Sequence, residues 1–330
     1  MDSGPIEPIQ TLEPLQPPRR NPIFFNYRGI RSGWRLLVWF GLSLGGLIAA
    51  LIVLVIIYML SSGMKGLTGA TPPVWLLLVS SGLFFVPIFL AAVVVALTME
   101  HRPVGSLGLG FHSRWLRELA QGCALGAALL SSVMLILVCL GAYRIQGFNE
   151  GFMPALGWGL AMAAGFVGVG LFEEFLFRGY ALQNLMDGIG RPAAVVISCL
   201  LFAAVHCSNP GENPAGILEV LLGGILLLVL ILRTRSLWMA VGLHAAWDWT
   251  QNFLFGVADS GMVLPGGLLR STAHGPTWLS GGAAGPEGSV IALLINGLAI
   301  LYVLRAPWIR PAPDARALWA RYIEHQVEIL

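Results

Sequence analysis

Eight apolar stretches follow one another along the 330 residues of this chain. The stretches 36–60, 74–98 and 119–142 contain no charged residue, and 152–178 is apolar until Glu173. The remaining four are 193–206, 216–232 with Glu219, 237–257 with His244 and Asp248, and the uncharged 288–304. A helix of about 20 mostly apolar residues crosses the hydrocarbon of a bilayer, where every backbone polar group must be satisfied internally. The expected fold is therefore an all-α polytopic membrane protein of about eight transmembrane helices. Composition agrees, since 56% of residues are apolar and 11% are charged, against about a quarter charged in a soluble domain.

The loops between these stretches differ in charge. Arg19, Arg20, Arg28, Arg31 and Arg35 precede the first, and Arg102, Arg114 and Arg117 separate the second from the third. Arg178 and Arg191 follow the fourth, Arg233 and Arg235 the sixth, and Arg305, Arg310, Arg316 and Arg321 the last. The alternate loops hold only Lys65, Arg144 and Arg270. Cytoplasmic loops carry the excess of Lys and Arg, so an even number of spans with both termini cytosolic is expected, in a bacterial plasma membrane. The first span starts too late and runs too long for a cleaved leader.

Four regions are expected. Residues 1–35 form a Pro-rich tail and membrane-entry segment, the first part of which cannot bury enough surface to order itself. Residues 36–150 hold three accessory helices, 151–257 a core that concentrates the ionisable residues, and 258–330 a long Gly-rich irregular loop, the last span and a cytosolic tail. Ser113 is placed to cap an interfacial helix around Trp115 and Leu116, and 314–330 has the pattern of a second one. A formal net charge of +2 and the lack of any basic–aromatic repeat give no nucleic-acid partner. Cys123, Cys139, Cys199 and Cys207 lack the close spacing of a thiolate metal site or a disulfide scaffold.

Ionisable residues inside a span are costly and mark function, and here they concentrate between the fourth and seventh stretches. In Glu173–Glu174–Phe175–Leu176–Phe177–Arg178, Glu174 and Arg178 are four residues apart and share a helix face. Glu173 is turned about 100° from Glu174, which leaves one carboxylate free for chemistry. His206 closes the segment that begins at Phe202. His244 and Asp248 share a face one turn apart, with Asn252 a turn further on. Two histidines with carboxylates can bind a metal such as zinc, or orient a water and an oxyanion. Glu219 lies near the outer end of its span and is left out of the site. His101 and His274 read as solvated loop residues.

Taken in order, Glu-Glu-x-x-x-Arg, Phe-x-x-x-His and His-x-x-x-Asp resemble the motifs of the CPBP family of intramembrane proteases, the CAAX protease and bacteriocin-processing (Abi) family. The resemblance runs over about a third of the chain. It implies an intramembrane endopeptidase of the CAAX prenyl protease type, with Glu173 activating water, His206 and His244 positioning it or stabilising the oxyanion, and Glu174 locking Arg178. Asp248 stands where the family often has Asn. The mechanism implied is either metallo, with Glu173, His206, His244 and Asp248 as ligands, or metal-free. The substrate would be a membrane-associated protein or peptide. Two other classes remain open: a non-catalytic membrane partner or immunity factor of the same fold, and an ion-coupled transporter.

Overall fold

A computed structural model describes residues 21–26, 29–62, 74–149 and 151–316. Most of the Pro-rich tail and of the C-terminal segment expected to lie on the membrane falls outside them. The chain is an all-α membrane protein. Its helices are α1 (Ser32–Ser62), α2 (Val74–Thr98), α3 (Trp115–Cys139), α4 (Phe152–Arg178), α5 (Tyr180–Ile189), α6 (Arg191–His206), α7 (Pro214–Thr234), α8 (Trp238–Trp249), the short α9 (Thr277–Ser280) and α10 (Val290–Arg305). Among the described residues, five helical stretches are long and apolar enough to cross a bilayer: Ser32–Leu60, Val79–Thr98, Trp115–Cys139, Met153–Ile189 and Pro214–Thr234.

The other three apolar stretches form shorter helices. α6 and α10 have 16 residues each, and α8 has 12 before it continues into one wide π turn, Thr250–Leu254. α8 can be short because protein surrounds it: Trp238 to Leu243, Ala245, Trp247 and Asp248 are all buried. Irregular backbone at membrane depth is tolerated where protein or a wet cavity covers it. α1 is the opposite case. It exposes Leu37, Phe40, Ile48 and Leu51 and buries Trp39 and Leu54, as a peripheral helix facing lipid does.

Two local expectations are corrected. Trp115 opens α3 itself, and the backbone N–H and hydroxyl of Ser113 donate to Asp314, so no separate interfacial helix is capped there. The Gly-rich loop is more ordered than composition suggests. Its strand β4 (Leu269–Ala273) pairs antiparallel with β3 (Tyr143–Phe148), Tyr143 opposite Ala273. α5 was also not foreseen, being too short and polar on one side to register as a span. It joins α1 and the end of α2 through a buried network. Arg35 pairs with Glu100 and Asp187, Arg102 pairs with Glu100 and donates to Gln183 Oε1 at 2.5 Å, and the Tyr180 hydroxyl donates to Glu100 Oε1 at 2.5 Å.

The closest helix pairing is α3 against α8. Gly122 and Gly126 of α3 lie on the backbone of Met239 and Leu243, and Gly242 of α8 lies on that of Leu119. Without a hydrophobic drive between helices in lipid, such small residues let backbones approach and gain dispersion contacts. A side chain at Gly126 would meet the Leu243 carbonyl, one residue before His244. Gly126→Val should therefore destabilise the fold by about 1–3 kcal/mol through overpacking, seen as a lower melting temperature of the purified protein in detergent. An unchanged melting temperature would show that this pairing is looser than described.

Candidate active site

The site begins with a pair of fully buried side chains on α4. Glu174 Oε1 accepts from Arg178 Nη1 at 2.7 Å, one helical turn away. The Arg178 guanidinium carbon lies 4.2 Å from the centre of the Phe202 ring, and Nη2 reaches the Gly224 carbonyl at 3.4 Å. One residue cluster thus pins α4, α6 and α7 together. The same carboxylate oxygen of Glu174 accepts from His244 Nδ1 at 2.8 Å and adds α8. A carboxylate only accepts, so Nδ1 carries the proton and Nε2 points the other way.

What Nε2 of His244 faces is Glu173. It lies 3.8 Å from Glu173 Oε2 and 3.7 Å from Asp248 Oδ2. His206 is arranged in the same manner. Its Nδ1 donates to the Phe202 carbonyl at 2.7 Å, and its Nε2 lies 3.8 Å from the same Glu173 oxygen. Both imidazoles therefore present Nε2 to one carboxylate oxygen that has no hydrogen-bond partner among the described residues. Separations of 3.8 Å exceed a direct hydrogen bond.

Helix lengths explain how His206 arrives there. The apolar stretch of α4 runs on through Gly179 into α5, so that Glu173 lies sixteen residues before the end of α5 at Ile189. The chain reverses at Gly190, which has φ 83, and His206 lies fifteen residues after Arg191. Glu173 and His206 are thus separated from the turn by similar lengths of chain. α6 is short because it ends at the depth of the site.

These groups line a cavity of about 250 Å³. Phe166, Phe172, Leu243 and Trp247 give it apolar walls, and Glu173, His206, His244 and Asp248 face it. Glu174 and Arg178 do not, so the two adjacent glutamates have separate tasks. Asn252 is not part of the site. Its amide donates to the Met262 carbonyl and accepts from the Leu264 N–H, which holds the following loop in place. Glu219, set aside above, does belong to the cavity wall, as do Asp259, Glu287 and Asn296. Helical phase places Glu219 within a span, but only the folded loop shows that Asp259 and Glu287 return to the same space. Among the described residues no three His, Cys, Asp or Glu side chains are gathered as a metal site. His101 and His274 are exposed.

Residues 154–250 match the family model for the Rce1-like type II CAAX prenyl endopeptidases, the group to which the three motifs point. No match was found among curated proteins or among solved structures.

Removing Glu174 leaves Arg178 buried and unpaired, a loss of about 3–5 kcal/mol. Glu174→Ala should therefore lower thermal stability sharply, while Glu173→Gln, which breaks no hydrogen bond, should leave it nearly unchanged. Equal melting temperatures for the two variants would remove the distinction drawn between the glutamates.

Proposed function

We propose that this integral membrane protein, whose residues 154–250 are of the Rce1-like CAAX endopeptidase type, hydrolyses a peptide bond of a membrane-associated protein or peptide. The observation that carries the reading is the single unpartnered oxygen of Glu173 facing two imidazoles whose other nitrogens are already engaged. Glu173 lines the cavity with its side chain 22% exposed, and a water bound against it there is placed for deprotonation. Glu173 takes its proton as the water oxygen attacks the peptide carbonyl carbon. The carbonyl oxygen becomes an oxyanion and needs a donor.

His244 suits that role. Glu173, Glu174 and Asp248 surround it, so an imidazolium there is compensated by carboxylates, and Nε2–H donates to the oxyanion. His206, whose Nδ1–H is given to a carbonyl, has Nε2 free to accept from the attacking water. The proton held by Glu173 then passes to the departing amine nitrogen as the C–N bond breaks, and the two products are a carboxylate and an amine. Preorganised donors and a positioned base are the terms that lower such barriers most. No step here is routed through a metal. On the strength of the loop charges we take both termini to be cytosolic, in a plasma membrane proposed to be bacterial.

The binding-module and transporter readings have less support, because neither needs a carboxylate left without a partner between two oriented imidazoles. Glu173→Gln should lower the appearance of new peptide termini in membranes of expressing cells by about 10²–10⁴-fold, measured by mass spectrometry at matched protein level. Termini that persist unchanged in the variant would sink the protease reading. Incubating purified protein with a strong chelator should leave the rate within about twofold, because no step of this scheme is routed through a metal. Abolition by chelator, with recovery on adding one divalent metal, would favour the metallo alternative.

A further inference from the structure

The cavity has a second polar wall that the hydrolytic scheme does not use. We propose that Glu219, Asp259 and Glu287, with Asn296, form a subsite for a cationic side chain, a Lys or Arg of the substrate peptide; this rests on the protease reading and narrows its substrate class.

Glu219 lies within α7, is 5% exposed, and accepts from the Asn296 amide of α10. Asn296 is 2% exposed and lines the cavity, and its Oδ1 is buried without a partner among the described residues. With one amide N–H given to Glu219, Asn296 keeps its Oδ1 as an acceptor without a donor among the described residues. Glu287 is buried under the loop and accepts the Ser260 N–H at 2.5 Å. Asp259 precedes that serine and is half-buried on the same wall. None of the three carboxylates has an ion-pair partner among the described residues. The two cavity-facing imidazoles are directed at Glu173, Glu174 and Asp248 instead.

Such a wall is costly when empty. Burial pushes Asp259 up to about 7 against the opposing charge of His244, and burial together with Asp259 and Glu219 raises Glu287 well above the usual carboxylate range. A buried carboxylate is stabilised by protons or by a cation with donors to give. A metal ion is a poor candidate, because the carboxylates do not gather around one point. An ammonium or guanidinium spreads several N–H donors over a wider surface, which fits acceptors distributed along a wall. The apolar lining beside them accommodates the aliphatic stem of the same side chain. The subsite and Glu173 share one cavity, so a peptide anchored by its cation would bring a nearby backbone bond to the water.

The test uses Glu173→Ala protein in nanodiscs, which binds without turnover, and short fluorescent apolar peptides in which one Lys is moved residue by residue. Each has a counterpart with norleucine in place of Lys. At one position at least, the Lys peptide should bind about tenfold or more tightly than its counterpart, the difference expected of a charge-assisted contact. Asp259→Asn and Glu287→Gln, added separately, should reduce that preference to within about twofold. Asp259→Asn lies in a loop and serves where the buried change impairs folding. Equal binding of every pair, weak binding throughout, or a preference that survives both substitutions overturns the proposal. Hydrolysis of the same peptides by the wild-type protein is scored separately: a Lys preference without hydrolysis supports the subsite and counts against proteolysis.

Discussion

Four helices meet at one carboxylate. Glu174 lies in the interior with Arg178, and the two charges would be a liability there if either lacked a partner. Both are matched: Arg178 to Glu174 and the Phe202 face, Glu174 to Arg178 and His244. The pair joins α4 to α6, α7 and α8 in a medium that gives helices little reason to associate. It also orients the His244 ring, since a carboxylate at Nδ1 leaves Nε2 to face Glu173. Structural and chemical demands are thus met by neighbouring residues of one helix, turned about 100° apart.

The rest of the fold arranges for water to reach a place where lipid would exclude it. α6 and α8 are shorter than a bilayer crossing and end at the depth of the site. The chain after α8 leaves the helix through a π turn, and Asn252 pins the returning loop by two hydrogen bonds. That loop brings Asp259 and Glu287 back over the cavity. The glycines of α3 and α8 allow the backbone of Leu243 to lie close against α3 and so fix the height of His244. Short helices, a covered loop and close packing together make a polar cavity inside an apolar bundle.

Much of this is legible from residue order, because lipid imposes simple rules. Apolar run length marks the spans, and 152–178 coincides with α4. The spacings of Glu174 with Arg178 and of His244 with Asp248 announce shared faces, and the structure brings Glu173, His206 and His244 together. What escaped has a common cause: it depends on how segments return in three dimensions. α5 carries polar residues that face the network of Arg35, Glu100 and Arg102, so it lacks a span's hydropathy. Depth along a helix cannot be read from loop charge when the helix before it bends and continues, as α4 does into α5 ahead of His206. Glu219 looked interfacial because nothing in its own segment says that a distant loop and Asn296 cover it.

The central claim is that Glu173 stands in a water-filled cavity within the membrane, held there by the Glu174–Arg178–His244 cluster. The most direct measurement is chemical access. In a chain whose four native cysteines are replaced, Glu173→Cys should react with a small water-soluble, membrane-impermeant thiol reagent in intact vesicles opened on one face or the other. Val196→Cys, on the lipid-facing side of α6, should not. If Glu173→Cys stays as inert as Val196→Cys until the protein is unfolded in detergent, the cavity is closed to water and the account of the site is wrong.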